Sequence, residues 1–316
     1  MERVTGPDET RFAHEALLYR GERGFAAQVA AFVREGLDAG EPVAVALTAR
    51  HADALRDELG ADAARVRFPD AADLGRNPAR LVPWWRDWVA GNSGGGRCRG
   101  VGEPVGGGNG AAWDRACRVH EHMTNAAFEA GPGWRLLCPH DLGLHSPAMI
   151  EAVARSHPRI CGLPLPPGAG GFDPRGALTA FEEPLPELGK PLFETAFSLP
   201  DLPRLRGAVR DHVPALGLRG GQVADFVLVA DELAGNSVQH GGGDGRMALW
   251  VAEGRAVCEV SDKGLIIDPL AGRRRPDLRE HGPGAGLWSA NQICELLLIR
   301  SAPNEGTTVR GYFDVR

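Results

Sequence analysis

A stretch dominated by proline and glycine separates two halves of the chain that differ in their hydrophobic patterning. The stretch covers 162–191 and contains the run P-L-P-P-G-A-G-G. Such a composition builds no packed core and forms semi-stiff connections between domains. A chain of 316 residues is long enough for two ordinary domains. We therefore predict one domain at 1–165 and another at 192–316, joined by a linker at 166–191.

The first half alternates apolar segments of strand length with helical periods. Strands are predicted at 42–47, 66–68 and 134–138, and helices at 24–39, 51–59, 111–130 and 147–156. This alternation is typical of an α/β fold with a parallel sheet. A further helix begins with Trp84, Trp85 and Trp88, which we expect to pack in a core or between domains rather than to form a ligand cage.

The second half places helices first and then mostly strands. Helices are predicted at 202–213, 221–240 and 287–297, and strands at 196–199, 247–251, 257–261, 298–301 and 308–313. The strands at 247–251 and 257–261 alternate like an antiparallel pair. This order predicts an α+β sandwich with helices on one face of a mixed sheet.

Composition excludes several classes of protein. The net charge of −6, with 24% charged and 43% hydrophobic residues, predicts a soluble globular protein without a chain-wide footprint for nucleic acid or an anionic membrane. Lysine occurs at Lys190 and Lys263 alone, so the chain holds neither a G-x-x-x-x-G-K-[ST] phosphate loop nor a V-A-I-K kinase strand.

The sequence predicts a cytoplasmic protein. Its six cysteines are dispersed and form no C-x-x-C pair, and it has neither a signal-peptide core nor a long apolar run.

The predicted helix at 221–240 carries the first cluster of chemistry-bearing residues. Glu232, Asn236 and His240 are spaced by four and therefore share one face. An acid and an amide one turn apart can hold magnesium through oxygen atoms and orient a hydroxyl or a water. The alternative is a solvent-facing polar stripe.

Two further motifs lie downstream of this helix. Asp262 ends a predicted strand and is followed by Gly264, which suits recognition of a purine amine by the carboxylate; a common β-turn is the alternative. Glycines then precede the next helix, where the backbone and helix N-terminus can approach phosphate: Gly282, Gly284 and Gly286.

Two shorter features complete this region. Thr307 opens the last strand, and its hydroxyl can bond the purine-binding carboxylate or a water beside it, unless the segment is only a glycine-led hairpin. The run Arg273–Arg275 can clamp phosphate, meet an acidic partner or form a solvated face.

The order E-x-x-x-N, D-x-G, G-x-G-x-G and G-T resembles the GHKL ATPase superfamily over about 192–316. The resemblance implies a Bergerat ATP-binding fold that uses ATP and Mg²⁺, with Glu232 as the base, Asn236 as the magnesium ligand and Asp262 as the adenine contact. It also assigns the remaining motif residues to the adenine pocket and the phosphate-binding turn: Gly264, Gly282, Gly284, Gly286 and Thr307.

Within that superfamily the form E-L-x-x-N-x-x-x-H-G and the compact lid are most similar to anti-sigma-factor serine kinases. This resemblance implies a sigma factor and a phosphorylated antagonist protein as partners. Two alternatives stay open: a non-catalytic ATP-binding interaction module, and a histidine kinase-like sensor ATPase. The second is weakened because the linker occupies the place of a two-helix dimerisation segment.

Three motifs of the first half carry another resemblance. They are H-E-A-L-L-Y at 14–19, F-V-R-E-G-L at 32–37 and L-L-C-P-H-D at 136–141. Together they resemble the MEDS, or DcmR-type, sensory domain over about 10–165. The resemblance implies a small-molecule sensor whose α/β fold is related to RecA-type ATPases without the phosphate loop. The whole chain is then expected to be a bacterial signalling and transcription regulator, capable of forming a homodimer, without direct binding to nucleic acid or membrane.

Histidines and one cysteine of the first half raise the question of a metal site. The residues are His14, His120, His122, His140, His145 and Cys138. Their ligand types allow zinc. Their spacing matches no known closed site, so structural or surface roles are the alternative.

Overall fold

The computed structural model describes residues 11–70, 74, 77–104, 110–276 and 285–315. Within these ranges the chain forms two compact units, one from 11–104 and 117–177 and the other from 110–116 and 178–315. Every helix in the described ranges is too short or too polar to span a lipid bilayer.

The first unit is a parallel sheet with helices. In chain order its elements are β1 (Ala13–Tyr19), α1 (Gly21–Asp38), β2 (Val43–Ala46), α2 (Ala49–Leu59), α3 (Leu81–Asn92), β3 (Arg99–Gly102), α4 (Ala111–Phe128), β4 (Arg135–Asp141), α5 (Pro147–Ser156), β5 (Arg159–Gly162) and the single turn α6 (Gly176–Thr179). The start of α4, up to Ala116, and the end of α6, from Leu178, belong to the second unit. The strands lie in the order β2-β3-β4-β1-β5, and the pairings are parallel. The predicted α/β fold is confirmed. The strand predicted at 66–68 is reduced to one bridge, between Arg67 and Ala44.

Burial in the first unit follows the sequence pattern. Phe25, Val29 and Val33 recur every four residues along α1 and are fully buried. Strands β1 and β4 are buried along nearly their whole length, because a sheet covered on both faces selects continuous apolar runs.

Trp85 of α3 shows how a helix can approach the sheet closely. Its side chain is buried, and its ring centroid lies 5.4 Å from that of Trp134. A Cβ atom at Gly100 of β3 would lie 2.8 Å from both indole rings. The glycine therefore leaves the space that the two rings fill, and the prediction that Trp85 packs in a core is confirmed.

The second unit is an antiparallel sheet with helices. Its elements are β6 (Phe193–Ser198), α7 (Leu202–His212), α8 (Gly221–His240), β7 (Asp244–Ala252), β8 (Arg255–Asp262), α9 (Ala285–Ile293), β9 (Leu296–Ala302) and β10 (Gly306–Asp314). The strands lie in the order β6-β7-β8-β10-β9. The predicted α+β sandwich is confirmed.

Two details of the second unit differ from prediction. The described strand pairings are all antiparallel, so the expectation of a mixed sheet is wrong. Tight turns with positive φ angles at Glu253, Gly254 and Asn304 join β7 to β8 and β9 to β10 as hairpins, which are antiparallel by construction. The helix predicted at 287–297 ends at Ile293, and Leu296 already belongs to β9.

Helix α8 covers one face of this sheet. Phe226, Val229, Ala230 and Leu233 are buried on it, and the Phe226 ring meets Phe313 of β10 at 5.0 Å. The opposite face of the helix is thereby left for polar chemistry.

Part of the predicted linker packs against the sheet of the second unit. Leu185 and Leu188 pack with Trp250 and Tyr312 of the sheet, together with Ala112 and Ala116 from the start of α4. Backbone carbonyls of the same segment accept hydrogen bonds: Trp250 Nε1 donates to Gly189 O at 3.1 Å. The part of the predicted linker after 178 therefore belongs to the core of this unit.

Candidate nucleotide-binding site

Asp262, the last residue of β8, is held between α8 and the loop that follows it. Its Oδ2 accepts a hydrogen bond from Ser237 Oγ, and its Oδ1 accepts one from the backbone N–H of Gly264 at 2.8 Å. A carboxylate has about four acceptor positions. Asp262 thus keeps acceptor capacity for a further donor in the pocket.

The two glycines beside Asp262 make this arrangement sterically possible. A Cβ at Gly241, just after α8, would lie 2.3 Å from Asp262 Cγ. A Cβ at Gly264 would lie 2.8 Å from the carbonyl oxygen of His240. The carboxylate and the loop therefore occupy space that any side chain at either position would fill.

Thr307 of β10 holds the same loop from the opposite side. The backbone N–H of Ile266 donates to Ser301 Oγ at 2.9 Å, Ser301 Oγ lies 2.8 Å from Thr307 Oγ1, and Thr307 Oγ1 donates to Gly264 O at 3.0 Å. Thr307 pairs with Asp262 in the strand register, but its hydroxyl bonds the Gly264 carbonyl and Ser301 rather than the carboxylate. The role predicted for this hydroxyl therefore shifts from contacting Asp262 to fixing the loop.

The side chains of Glu232 and Asn236 lie close to Gly286 at the start of α9. A Cβ at Gly286 would lie 2.7 Å from Glu232 Oε2 and 2.8 Å from Asn236 Nδ2. The Asn236 Nδ2 atom is buried and has no hydrogen-bond partner among the described residues. A helix N-terminus offers free N–H groups and the positive end of its dipole, which suit a phosphate chain.

These groups surround one open pocket of about 310 Å³. Its walls include Asn236 and Ser237 of α8, Asp262 at the end of β8, Gly264 of the following loop and Thr307 of β10. Apolar side chains complete it: Leu233, Val260, Leu265, Ile266, Ile267, Leu287 and Val309. An apolar slot with a few convergent polar groups is the usual form of a small-molecule site.

The structure gathers most of the predicted site residues in this region. Glu232, Asn236, Asp262, Gly264, Gly286 and Thr307 lie around the pocket or against its polar end. Gly282 and Gly284 lie outside the described residues.

The basic residues near the motifs differ in burial and in their partners. Arg273 is buried, with its guanidinium 5.7 Å from the Phe181 ring, and burial lowers its pKa to about 10. Arg274 pairs with Asp268 at 2.8 Å, and Arg275 lies over the Trp288 ring. Arg274 and Arg275 are exposed, as expected for a solvated face, whereas Arg273 is buried. None of the three belongs to the pocket lining given above. Lys263 is exposed and pairs with Asp244 at 3.4 Å.

Sequence reasoning missed three residues that shape the site. Ser237 and Gly241 lie in the same motif segment, N-S-V-Q-H-G, one and five positions after Asn236. A hydroxyl on the helix and a glycine after it are local signals that could have been noted. Ser301 had no such signal, because its role depends on the pairing of β9 with β10.

Comparison with known families agrees with this arrangement. Residues 13–158 match the model of MEDS, the methanogen/methylotroph DcmR sensory domain, and residues 196–312 match that of the histidine kinase-like ATPase domain. No curated protein gives a significant match to the chain.

The chain thus combines a sensory domain with an ATPase-type domain. More particularly, it carries a MEDS domain followed by a histidine kinase-like ATPase domain, as the motifs predicted. This combination defines a signalling regulator, and its ATPase domain implies ATP binding.

Proposed function

We propose that this chain is an ATP- and Mg²⁺-dependent protein serine/threonine kinase of the anti-sigma-factor type, controlled by its MEDS domain. The observation that carries the proposal is the Asp262 carboxylate, which is fixed by Ser237 and the Gly264 N–H at the end of an apolar slot. Its remaining acceptor positions suit the exocyclic amine of adenine, and the apolar walls suit the ring.

Asn236 and Glu232 support the metal and phosphate part of the proposal. The amide oxygen of Asn236 and the neighbouring carboxylate of Glu232 are oxygen ligands of the kind that suits Mg²⁺, next to the first residues of α9. The unpartnered Nδ2 of Asn236 can donate a hydrogen bond to a phosphate oxygen. Magnesium bound there would neutralise charge on the phosphates during transfer. Asn236 would be its ligand, and Glu232 would orient the acceptor hydroxyl and accept its proton.

The partners proposed for this activity are a sigma factor and an antagonist protein whose serine or threonine receives the phosphate. The MEDS domain would bind a small molecule and adjust that activity. The proposal places the protein in the cytoplasm, where ATP and both partners are present.

The test separates binding from transfer. Calorimetry with ATP and Mg²⁺ should show uptake by the full chain, and incubation with labelled ATP and an antagonist protein from the same genome should give phosphoserine or phosphothreonine. Glu232→Gln should retain ATP binding and lose the transfer. Absence of adenine-nucleotide uptake at millimolar concentration would overturn the proposal.

The transfer assay also distinguishes the two alternatives. ATP binding without transfer to any antagonist favours a non-catalytic interaction module. An acid-labile phosphate on the chain itself favours a histidine kinase-like sensor ATPase. Both outcomes contradict the serine/threonine kinase while keeping the nucleotide site.

A further inference from the structure

A second cluster of chemistry-bearing side chains lies inside the MEDS domain. His14 of β1 and Cys138 of β4 project to the same face of the sheet, because Cys138 pairs with Ala16, two residues after His14. Glu121 comes from α4, and His157 directly follows α5. All four residues are at most 4% exposed.

The four potential ligand atoms surround a common point. One ligand atom from each residue lies within 4.8 Å of all the others. His14 Nε2 is 3.2 Å from Cys138 Sγ and 3.6 Å from Glu121 Oε2, and His157 Nε2 is 3.5 Å from Glu121 Oε2. Zinc bonds of about 2.0–2.3 Å in a tetrahedron require ligand atoms roughly 3.3–3.6 Å apart. These three separations are close to those of a tetrahedral ion, and the other pairs of ligand atoms lie within 4.8 Å of each other.

His14 Nε2 and Cys138 Sγ are within hydrogen-bond distance of each other, but the other two ligand atoms have no such partner in the described part of the chain. Glu121 Oε2 and His157 Nε2 are buried and have no hydrogen-bond partner among the described residues. Distances of 3.5–3.6 Å are too long for hydrogen bonds between nitrogen and oxygen. Leaving a carboxylate oxygen and an imidazole nitrogen buried without partners is costly. A cation between them would remove that cost.

The outer nitrogens of both histidines have acceptors of their own. His14 Nδ1 lies 3.1 Å from Asn125 Oδ1, and His157 Nδ1 lies 2.9 Å from the Val153 carbonyl oxygen. An oxygen acceptor at Nδ1 places the proton there and leaves a lone pair on Nε2. Both Nε2 lone pairs then face the cluster, which is the usual arrangement of metal-ligating histidines.

The charges of the four side chains are also compatible with a bound divalent cation. Burial raises the pKa of Glu121 to about 8 and that of the Cys138 thiol well above its usual range, while it lowers the pKa of His14 to about 3. Burial therefore favours the neutral form of each of these groups. A divalent cation compensates one thiolate and one carboxylate, so the loaded site is neutral overall.

We propose that His14, Glu121, Cys138 and His157 bind one divalent transition-metal ion, with zinc best suited to the set. The thiolate excludes magnesium and calcium, which prefer oxygen ligands. Four protein ligands close the coordination sphere, as in structural zinc sites. The ion would tie β1, β4, α4 and the end of α5 together. His14 and Cys138 are metal-ligand candidates from the sequence alone, whereas Glu121 and His157 join them only in the folded structure.

The test begins with the untagged full chain, purified from zinc-supplemented medium and dialysed. Elemental analysis should find one zinc per chain. After replacement by Co²⁺, absorption should show the intense visible d–d bands of a tetrahedral ion and a thiolate-to-cobalt charge-transfer band in the near ultraviolet. Both measurements use the wild-type protein and so do not depend on whether a variant folds.

Substitutions then assign the ligands. Cys138→Ser should abolish the charge-transfer band, and Glu121→Gln should lower the bound zinc at least tenfold. Cys98→Ser is the matched control, because Cys98 is also buried in this unit but lies outside the cluster. It should keep one zinc and the cobalt spectrum, and circular dichroism should show native helix content in each variant.

Several results would overturn the proposal. A folded wild-type chain that takes up neither zinc nor cobalt would do so, as would a cobalt spectrum without the thiolate band. Equal losses of metal in Cys98→Ser and Cys138→Ser would show that the thiol of this cluster is not a ligand. The cluster and the nucleotide pocket lie in different units, so failure of one proposal leaves the other intact.

Discussion

The Asp262 carboxylate accepts two hydrogen bonds within the protein, and a conservative substitution can test whether it also contacts adenine. Its Oδ1 accepts from the Gly264 N–H, and its Oδ2 accepts from Ser237. In Asp262→Asn one acceptor oxygen becomes a donor NH₂ group, which repels the amine of adenine. We expect ATP affinity to fall roughly 10- to 100-fold, since a hydrogen bond to a charged group contributes about 1.5–3 kcal/mol. Calorimetric titration with ATP and Mg²⁺ measures the change.

Asp244→Asn is the control for this variant. Asp244 is exposed and pairs with Lys263 at 3.4 Å, outside the pocket lining. Such exposed pairs contribute little, so ATP affinity should stay within about twofold of wild type. Equal affinities of Asp262→Asn and Asp244→Asn for ATP would contradict the assigned adenine contact.

Gly306 is required by the site for steric reasons. Its φ is +78°, and a Cβ there would lie 2.1 Å from the Asp262 carbonyl oxygen. Gly254 has a similar φ of +73° but open space around its missing Cβ. Gly254→Ala should therefore cost about 1 kcal/mol of unfolding free energy from backbone strain, and Gly306→Ala clearly more. Urea denaturation measures the unfolding free energy of both variants. Equal losses would show that the contact between the new Cβ at position 306 and the Asp262 carbonyl oxygen is relieved at no cost.

The residues that carry the pocket were predictable where the signal is local. Glu232 and Asn236 follow from helical spacing, and Asp262 and Gly264 follow from a strand that ends in a turn. The bonding of Thr307 was not predictable in the same way. Its hydroxyl reaches the Gly264 carbonyl only because β10 lies between β8 and β9, and that order depends on long-range pairing.

At the scale of elements, an ion pair joins α2 to the end of β3. His51 Nδ1 lies 2.9 Å from the Glu103 carboxylate, which also accepts from Thr48 before the helix. The hydrogen bond to Glu103 raises the pKa of His51, with burial opposing it. The charges of Arg50 and Glu22 act on the same imidazole, in opposite directions.

The raised pKa of His51 predicts how the free energy of unfolding depends on pH. The pair stabilises the first unit fully at pH values below the ordinary histidine pKa of about 6.5, and its contribution is lost as pH rises through the raised value. The difference in unfolding free energy between wild type and His51→Gln should therefore be largest in mildly acidic solution, about pH 5 to 6, where a carboxylate is ionised and the imidazole is charged, and should shrink at alkaline pH. Denaturation of both proteins over a pH series measures it. A difference that stays constant with pH would show that His51 contributes by packing alone.

Elements were predictable from the sequence where one period dominates. The helix at 221–240 and the helix at 147–156 begin and end at the predicted residues. The helix predicted at 287–297 ran too far, because Leu296 and Leu297 continue its apolar spacing although they are buried in β9. Periodicity cannot distinguish the end of a helix from the start of a buried strand.

At the scale of the whole molecule, the second unit is not one continuous piece of sequence. The sheet face opposite α8 is covered by Leu185 and Leu188 and by Ala112 and Ala116, which come from before the predicted domain. Arg115 adds hydrogen bonds to the backbone carbonyls of Glu183 and Ile299, at 2.7 and 2.9 Å. Composition marked 166–191 as a linker because proline and glycine are frequent there. It could not show that a few leucines within the segment complete a core.

A fragment with the predicted bounds, 192–316, should therefore expose an apolar face that includes Trp250 and Tyr312. We expect it to bind a hydrophobic dye, to self-associate and to unfold at lower urea concentration than the ATPase unit of the full chain. The longer fragment 178–316 keeps the two leucines and should recover part of that stability, because it still lacks 110–116. Sedimentation, dye fluorescence and urea denaturation of both fragments beside the full chain rank the three. If 192–316 were monomeric, silent to the dye and as stable as the unit in the full chain, the cover over this sheet face would contribute nothing to its stability.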